Sequence, residues 1–330
     1  MRMNRPGAFI CLALTTVALA FAASARVAEG QPKLARLGYL GHVETVGANL
    51  PAFKEGLRAH GWIEGQNLLI EYRYGGEDYD RLRALAAELV GLKVEVIVAP
   101  SAPAAKAAKE ATRTIPIVFH TLNDPVLGGL VASFARPGGN LTGNAGLGPE
   151  LDRKRMELLK ELVPALSVVT ALVNPSNPMT QPRLTAIDDA ARALKVRVQV
   201  VRVSDANELG GALATLGRAR PTGLIVFEDP MLWINRSKIL DFAARQRLVV
   251  VYTQSGWAAQ GGLIEYAPNQ TQMYRQLATY VDRILRGAAP ADLPVEQPST
   301  YEIVVNLKTA RVLGLTVPPA VLLRADHVIE

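Results

Sequence analysis

Two proline-stiffened polar loops and two Asp-Pro steps carry the residues in this chain best suited to chemistry. Ser101 stands in Ala99-Pro100-Ser101-Ala102-Pro103, and Asn174 and Asn177 stand in Val173-Asn174-Pro175-Ser176-Asn177-Pro178. Asp124 and Asp229 each precede a proline, in Asn123-Asp124-Pro125 and Glu228-Asp229-Pro230. A serine at a helix start can offer an anion its hydroxyl together with the backbone N–H groups of Ala102 and Ala104, or it can be used up as a cap within its own helix. An aspartate at a strand end can face an ammonium group, or cap the helix that its proline opens. Asn174 and Asn177 read as hydrogen-bond partners for a solute or as ordinary turn residues. Tyr39, Trp233, Tyr252 and Trp257 fall at or just beyond strand ends, where they could wall a cleft or simply pack.

Groups for covalent chemistry do not gather. There is no Gly-x-Ser-x-Gly elbow and no Gly-rich loop ending in Lys-Ser or Lys-Thr, and Gly38-Tyr39-Leu40-Gly41 lacks the third glycine of a dinucleotide fingerprint. The four histidines, His42, His60, His120 and His327, show no metal-binding spacing and each reads singly as structural. No catalytic residue, metal or cofactor is therefore expected. A binding protein needs less: a cleft, donors for an anion, a carboxylate for a cation and apolar walls.

The elements that must position these residues alternate. Residues 94–126 read as strand, helix, strand: a β-branched run to Ala99, a capped alanine-rich helix after Ser101, and a second apolar run ending at Asp124-Pro125. In such a unit the strand ends and the helix N-terminus open onto one edge of the sheet. Before it come a strand at 35–40, a helix at 49–60, a strand at 67–74 and a helix at 79–90. The alternation restarts with helices at 150–162, 183–194, 206–216 and 232–246 and strands at 168–173, 197–203, 223–227 and 248–252. The Pro-Ser and Asp-Pro loops of the first array are echoed in the second at steps that are not equivalent, so no duplication is inferred. The Gly- and Pro-bearing stretches at 136–144, 254–262 and 287–291 read as crossings between two lobes. Asn144, on the first of these, joins the candidate ligand-binding set with Tyr39, Ser101, Ala102, Asp124, Asn174, Asn177, Asp229 and Trp257. A strand at 263–266 and a helix at 270–285 are expected to complete the first lobe. The expected division is lobe 1 at 33–143 plus 258–287 and lobe 2 at 144–257 plus 288–330.

Composition bounds the class. The 330 residues suit two lobes better than one domain, and 49% hydrophobic with 20% charged residues is globular composition. A formal charge of +6 without any concentrated run of Lys and Arg gives no nucleic-acid surface. Residues 1–25 read as an export signal: Arg2 and Arg5, then an apolar stretch from Ala8 to Ala23, then the small-x-small site Ala23-Ser24-Ala25. The single cysteine, Cys11, lies inside that segment, so a chain cleaved near Ala25 carries no thiol and no disulfide. Periplasmic localisation is the expectation.

Several motifs then converge. Phe53-Lys54-Glu55-Gly56-Leu57-Arg58, Gly61-Trp62-Ile63-Glu64-Gly65-Gln66-Asn67, Ile115-Pro116-Ile117-Val118-Phe119, Asp124-Pro125-Val126, residues 129–140 from Gly129-Leu130 to Gly139-Asn140, and Leu293-Pro294-Val295-Glu296-Gln297-Pro298 leading to Asn306-Leu307-Lys308 resemble the ABC-transporter substrate-binding protein family related to the tryptophan-transport binding component. The likeness runs through nearly all of the chain after residue 33. The resemblance implies an α/β fold of the type I periplasmic binding kind: two Rossmann-like lobes with parallel sheets, joined by three hinge crossings and closing on a small molecule. It also implies a membrane permease and a cytoplasmic ATPase as partners, amino acids or small aromatic acids as ligands, and cleft-facing positions for Ser101, Asp124, Asn174 and Asp229. Two departures from the family pattern are Gly41-His42-Val43-Glu44 after the first strand, and Glu228 before Asp229. The function so implied is solute capture for an importer. A ligand sensor that presents its closed form to a membrane receptor would use the same cleft, and an exported α/β enzyme would be told apart by turnover of the captured molecule. Repressors with a similar two-lobed body carry a DNA-reading helix pair where this chain has its apolar N-terminal segment.

Overall fold

The computed structural model describes residues 34–42, 48–146 and 148–330. The segment read as an export signal, Cys11 with it, and positions 43 and 44 of the loop after the first strand lie outside the described residues.

The first sheet contains β1 (Ala35–Gly41), β2 (Leu68–Tyr74), β3 (Val96–Ala99), β4 (Ile117–Thr121) and β5 (Leu141–Ala145), all parallel, in the order β2-β1-β3-β4-β5. Side chains alternate between its faces. Ile97, Ala99, Ile117 and Phe119 pack against α2 (Tyr79–Gly91) and α3 (Ala102–Ala111), while Leu37, Val96, Val98 and Val118 pack on the opposite side with Phe53 and Leu57 of α1 (Asn49–Ala59). Burial on both faces is why these strands read as nearly continuous apolar runs.

The second sheet runs β12-β11-β10-β9-β8-β6-β7 and comprises β6 (Val168–Val173), β7 (Arg197–Arg202), β8 (Gly223–Val226), β9 (Val250–Tyr252), β10 (Ile264–Pro268), β11 (Tyr301–Asn306) and β12 (His327–Ile329). It is parallel except where β10 meets β11 antiparallel. One face packs on α4 (Gly148–Leu162), α5 (Thr180–Leu194) and α10 (Leu307–Leu313); the other packs on α6 (Ala206–Ala219), α7 (Pro230–Ile234) and α8 (Arg236–Gln246).

The crossings are displaced from the positions read in the sequence. Leu141–Ala145 is a paired, buried strand of the first sheet. Gly143 lets it lie close to β4: its φ is +151°, and a Cβ there would come 1.9 Å from the Phe119 carbonyl oxygen. The strand at 264–268 belongs to the second sheet, not the first, which corrects the expectation that it completes lobe 1. The chain then returns at Asn269, whose side chain caps α9 (Gln270–Leu285), and α9 does cover the first sheet with Leu277 and Val281. Past Gly287 the chain stays on the first sheet: Glu296 N–H donates to the Gly143 carbonyl and Ala145 N–H donates to the Glu296 carbonyl before the chain enters β11. The glycines at 256, 261 and 287 take positive φ at turns within a lobe, so they mark loop chemistry and not passage between lobes.

Candidate functional site

In each sheet the strand order reverses between two neighbours, β1 and β3 in the first and β6 and β8 in the second. The crevice at such a point lies beyond the carboxyl ends of those strands. In lobe 1 it holds His42, directly after β1, and Ser101, two residues past β3. His42 Nδ1 donates to the Gly76 carbonyl at 2.9 Å, so Nε2 carries the lone pair and accepts the Ser101 hydroxyl at 2.9 Å. Ser101 Oγ in turn accepts the Ala104 N–H at 3.2 Å, capping α3. Burial pushes His42 below its ordinary range, which keeps the ring neutral.

The equivalent crevice of lobe 2 holds Asn174, Asn177 and Asp229. Asp229 caps α7 by accepting the N–H groups of Met231 at 2.9 Å and Leu232 at 3.3 Å. It also accepts from Asn174 Nδ2 at 3.3 Å and Asn177 Nδ2 at 2.9 Å, and from the hydroxyl of Tyr79 of the other lobe at 2.5 Å. Burial and the Asp229 charge hold the Tyr79 hydroxyl well above its usual range, so it remains a donor. Further hydrogen bonds join the lobes, among them Asn123 Nδ2 to Glu228 Oε2 at 2.8 Å, Asn235 Nδ2 to Glu77 Oε1 at 2.6 Å and Asn174 Nδ2 to the Tyr79 hydroxyl at 3.4 Å. The lobes are closed on one another.

Closure leaves a cavity of about 100 Å³, well above the ~10–15 Å³ that one water needs. Lobe 1 contributes Tyr39, His42, Leu50, Ser101 and His120; lobe 2 contributes Glu228, Pro230, Trp233, Ile234 and Gln254; α9 contributes Gln270 and Tyr274. A wider depression of about 710 Å³ between the first turns of α2 and α6 is charged and open to water, so it encloses nothing.

Three groups on the cavity wall stand out chemically. His120, 2% exposed, donates from Nδ1 to Asn144 Oδ1 at 2.8 Å and has no partner at Nε2; burial pushes it down to about 4. Trp233 Nε1 is likewise buried without a partner. Glu228 is half-buried and lines the cavity from lobe 2. Burial raises it to about 6, against the pull of Arg183 and Arg155 and with the repulsion of Asp229. Behind Glu228, Asp152 accepts from Arg155 Nη1 at 2.9 Å and Arg183 Nη2 at 2.7 Å, while Arg155 Nη2 donates to the Thr253 and Tyr266 carbonyls, both at 2.9 Å. That buried network ties the ends of β9 and β10 to α4 and α5.

Of the residues read from sequence, Tyr39, Ser101 and the wall candidate Trp233 line the cavity. Ala102 is buried in the first turn of α3. Asp124 caps its own turn, accepting Val126 N–H at 2.8 Å and Leu127 N–H at 3.2 Å, and sits in a separate recess beside Met179. Asn174, Asn177 and Asp229 meet each other and Tyr79, as described. Asn144 lies behind His120. Trp257 stacks on Tyr252 with centroids 4.5 Å apart and meets Trp233 edge-on at 5.6 Å, supporting the wall from behind. Sequence reasoning passed over His42, His120, Gln254, Gln270 and Tyr274. The two histidines were set aside for want of a metal-binding spacing, although each follows or ends an apolar strand, the position that faces a cleft in this class of fold.

A profile described as ABC transporter substrate binding protein matches residues 44–329. A tyrosine-binding protein from Clostridioides difficile strain R20291 is 26% identical over 263 residues, covering 80% of this chain and 75% of that protein. Among solved structures, the ABC domain in complex with L-Trp from Streptococcus pneumonia aligns with TM-score 0.83 at 24% identity over 89% of this chain and 99% of its own. A ligand-free, open substrate-binding protein with adhesive properties from Clostridium difficile, with the same identity and coverage, aligns with TM-score 0.63. The two-lobed type I periplasmic binding fold and the match along residues 44–329 make one statement: this chain belongs to the ABC transporter substrate-binding protein family.

Proposed function

We propose that the protein is the exported solute-binding component of an ABC importer, capturing an amino acid or a small aromatic carboxylate between its lobes and presenting the closed form to a membrane permease driven by a cytoplasmic ATPase. The observation that carries this reading is the cavity between the lobes, lined by His120 and Trp233, each of which holds a buried polar atom without a partner, Nε2 and Nε1. A buried polar atom left unpaired costs about 1–3 kcal/mol, which a solute with matching groups removes. Aromatic and aliphatic walls from Tyr39, Leu50, Trp233 and Tyr274 suit a ring or an alkyl side chain. The relatives named for tyrosine and crystallised with L-Trp support an amino acid. Hinge closure is supported by the hydrogen bonds between lobes and by the better superposition on the L-Trp complex than on the open, ligand-free relative. A solute that touches both lobes favours the closed state by its differential contacts alone. Export rests on the segment at 1–25.

A thermal-shift screen over amino acids and aromatic acids tests the reading. A ligand at ~100 times its Kd stabilises by about 2.7 kcal/mol, a rise of about 5 °C for a protein of this size. A folded protein whose midpoint no such compound moves rules the proposal out.

A further inference from the structure

We propose that His120 selects a primary amine: its bare Nε2 accepts a hydrogen bond from the ammonium group of the captured amino acid, whose charge is met by the Glu228 carboxylate from the other lobe. The inference rests on the amino-acid reading above. Its first support is the tautomer. Asn144 Nδ2 donates to the Met273 carbonyl of α9 at 2.7 Å, which fixes the amide so that Oδ1 points to His120. The ring must then carry its proton on Nδ1, and Nε2 is left as a buried lone pair with no protein donor, on a residue that lines the cavity. In-register pairing of His120 with Asn144 across β4 and β5 makes this arrangement part of the sheet, so Asn144 acts as a positioning residue. The second support is location. Tyr274 lies against the His120 ring with centroids 5.0 Å apart and is within electrostatic reach of Glu228, and Asn123, three residues beyond His120, holds Glu228. Carboxylate and imidazole therefore line the same cavity from opposite lobes. Both are acceptors, and an ammonium group has three donors and no acceptor.

Titration calorimetry with L-tyrosine and L-tryptophan, their des-amino acids 3-(4-hydroxyphenyl)propionate and 3-indolepropionate, and L-phenylalanine separates the possibilities. A site built around a hydrogen-bonded group rejects the analogue that lacks it, so the wild type should prefer each amino acid to its des-amino acid by at least ~100-fold. His120→Phe should shrink that ratio about tenfold and leave the tyrosine-to-phenylalanine ratio unchanged. A variant that alters the tyrosine-to-phenylalanine ratio instead would mean that His120 reads the solute's side chain, and one that alters neither would also overturn the inference. If the variant does not fold, the imidazole nitrogen spectrum of the wild type decides: the Nε2 resonance of His120 should move with L-phenylalanine and stay put with 3-(4-hydroxyphenyl)propionate, and a resonance unmoved by the amino acid refutes it. A wild type that binds the des-amino acids and none of the amino acids would bring down the amino-acid reading itself, a different result from failure of His120 alone.

Discussion

The two switch-point crevices are built alike and occupied differently. Each places a residue after its first strand beside a helix-capping residue after its third: His42 with Ser101 in lobe 1, Asn174 with Asp229 in lobe 2. In lobe 1 the pair stays on the wall of the cavity. In lobe 2 every partner closes inward on Asp229, and Tyr79 arrives from across the gap to complete the set. The same backbone geometry thus supplies a wall in one lobe and a latch in the other, and the difference lies in how many hydrogen bonds the capping side chain already holds. The Ser101 hydroxyl gives its one proton to His42 and keeps acceptor capacity beside the cavity, whereas the Asp229 carboxylate already accepts from five donors and has none left for a solute.

The widest separation should come from removing the two caps. Asp229→Ala deletes a cap and takes the carboxylate acceptor from Asn174 and Asn177 within lobe 2, so urea unfolding should show a loss of about 3 kcal/mol. Ser101→Ala removes a cap with a single side-chain partner and should cost about 1 kcal/mol. Equal losses would mean that the crevices do the same job.

Titration sharpens the contrast, because lobe 1 brings imidazoles to the cavity and lobe 2 brings carboxylates. His120 is lowered from 6.5 to about 4, so between those values the unfolded chain binds the proton and the folded one does not. Stability therefore falls as pH drops through that window, by about 3 kcal/mol for this residue, with His42 acting in the same direction. Glu228 is raised from 4.5 to about 6, so between those values the folded protein binds the proton first and stability rises on acidification. Because Glu228 is only half-buried, that gain is about 1 kcal/mol. Denaturant midpoints across pH 4 to 7 should show a net acid loss, steepened by Glu228→Gln and flattened by His120→Gln. Identical profiles for the two variants would contradict the assignment of opposite signs to the two lobes.

The fold was legible because burial on both faces leaves a strong trace. Val96, Ile97 and Val98 or Ile117, Val118 and Phe119 can hardly be anything but covered parallel strands. Capping residues were legible for the same local reason, with Ser101 and Asp229 each accepting from the helix that follows. What stayed hidden depends on distance in the chain. Whether β10 joins the first or the second sheet is settled by pairing with Val251 and Val305, not by any residue within it. The helix read as ending at 216 runs on to Ala219, where Arg220 adopts the left-handed conformation without glycine to mark the stop. Within the site, Ser101 and Tyr39 were found because their positions suffice, whereas Asp229 and Asn174 carry the right chemistry and use it on one another. His120 matters through a partner 24 residues away, a relation that one sequence does not display.

The finest test of wall against latch is Tyr79→Phe. The phenol of Tyr79 contacts Asp229 only when the lobes are together, and its ring also lies 5.9 Å from that of His42, so it touches both crevices. Removing the hydroxyl deletes the bond to Asp229 and the long 3.4 Å bond that it accepts from Asn174 Nδ2, both of the closed form, and nothing of the open form. A bond of this kind contributes about 0.5–1.5 kcal/mol net, so solute affinity should weaken up to about tenfold. The solute-free protein should unfold at nearly the same urea concentration, because its open form never held the contact. Stopped-flow displacement should locate the change in the release rate, since the latch acts after encounter. If affinity holds steady while the solute-free protein is destabilised, the Tyr79 contact is present before capture, and lobe 2 is held against lobe 1 without any solute.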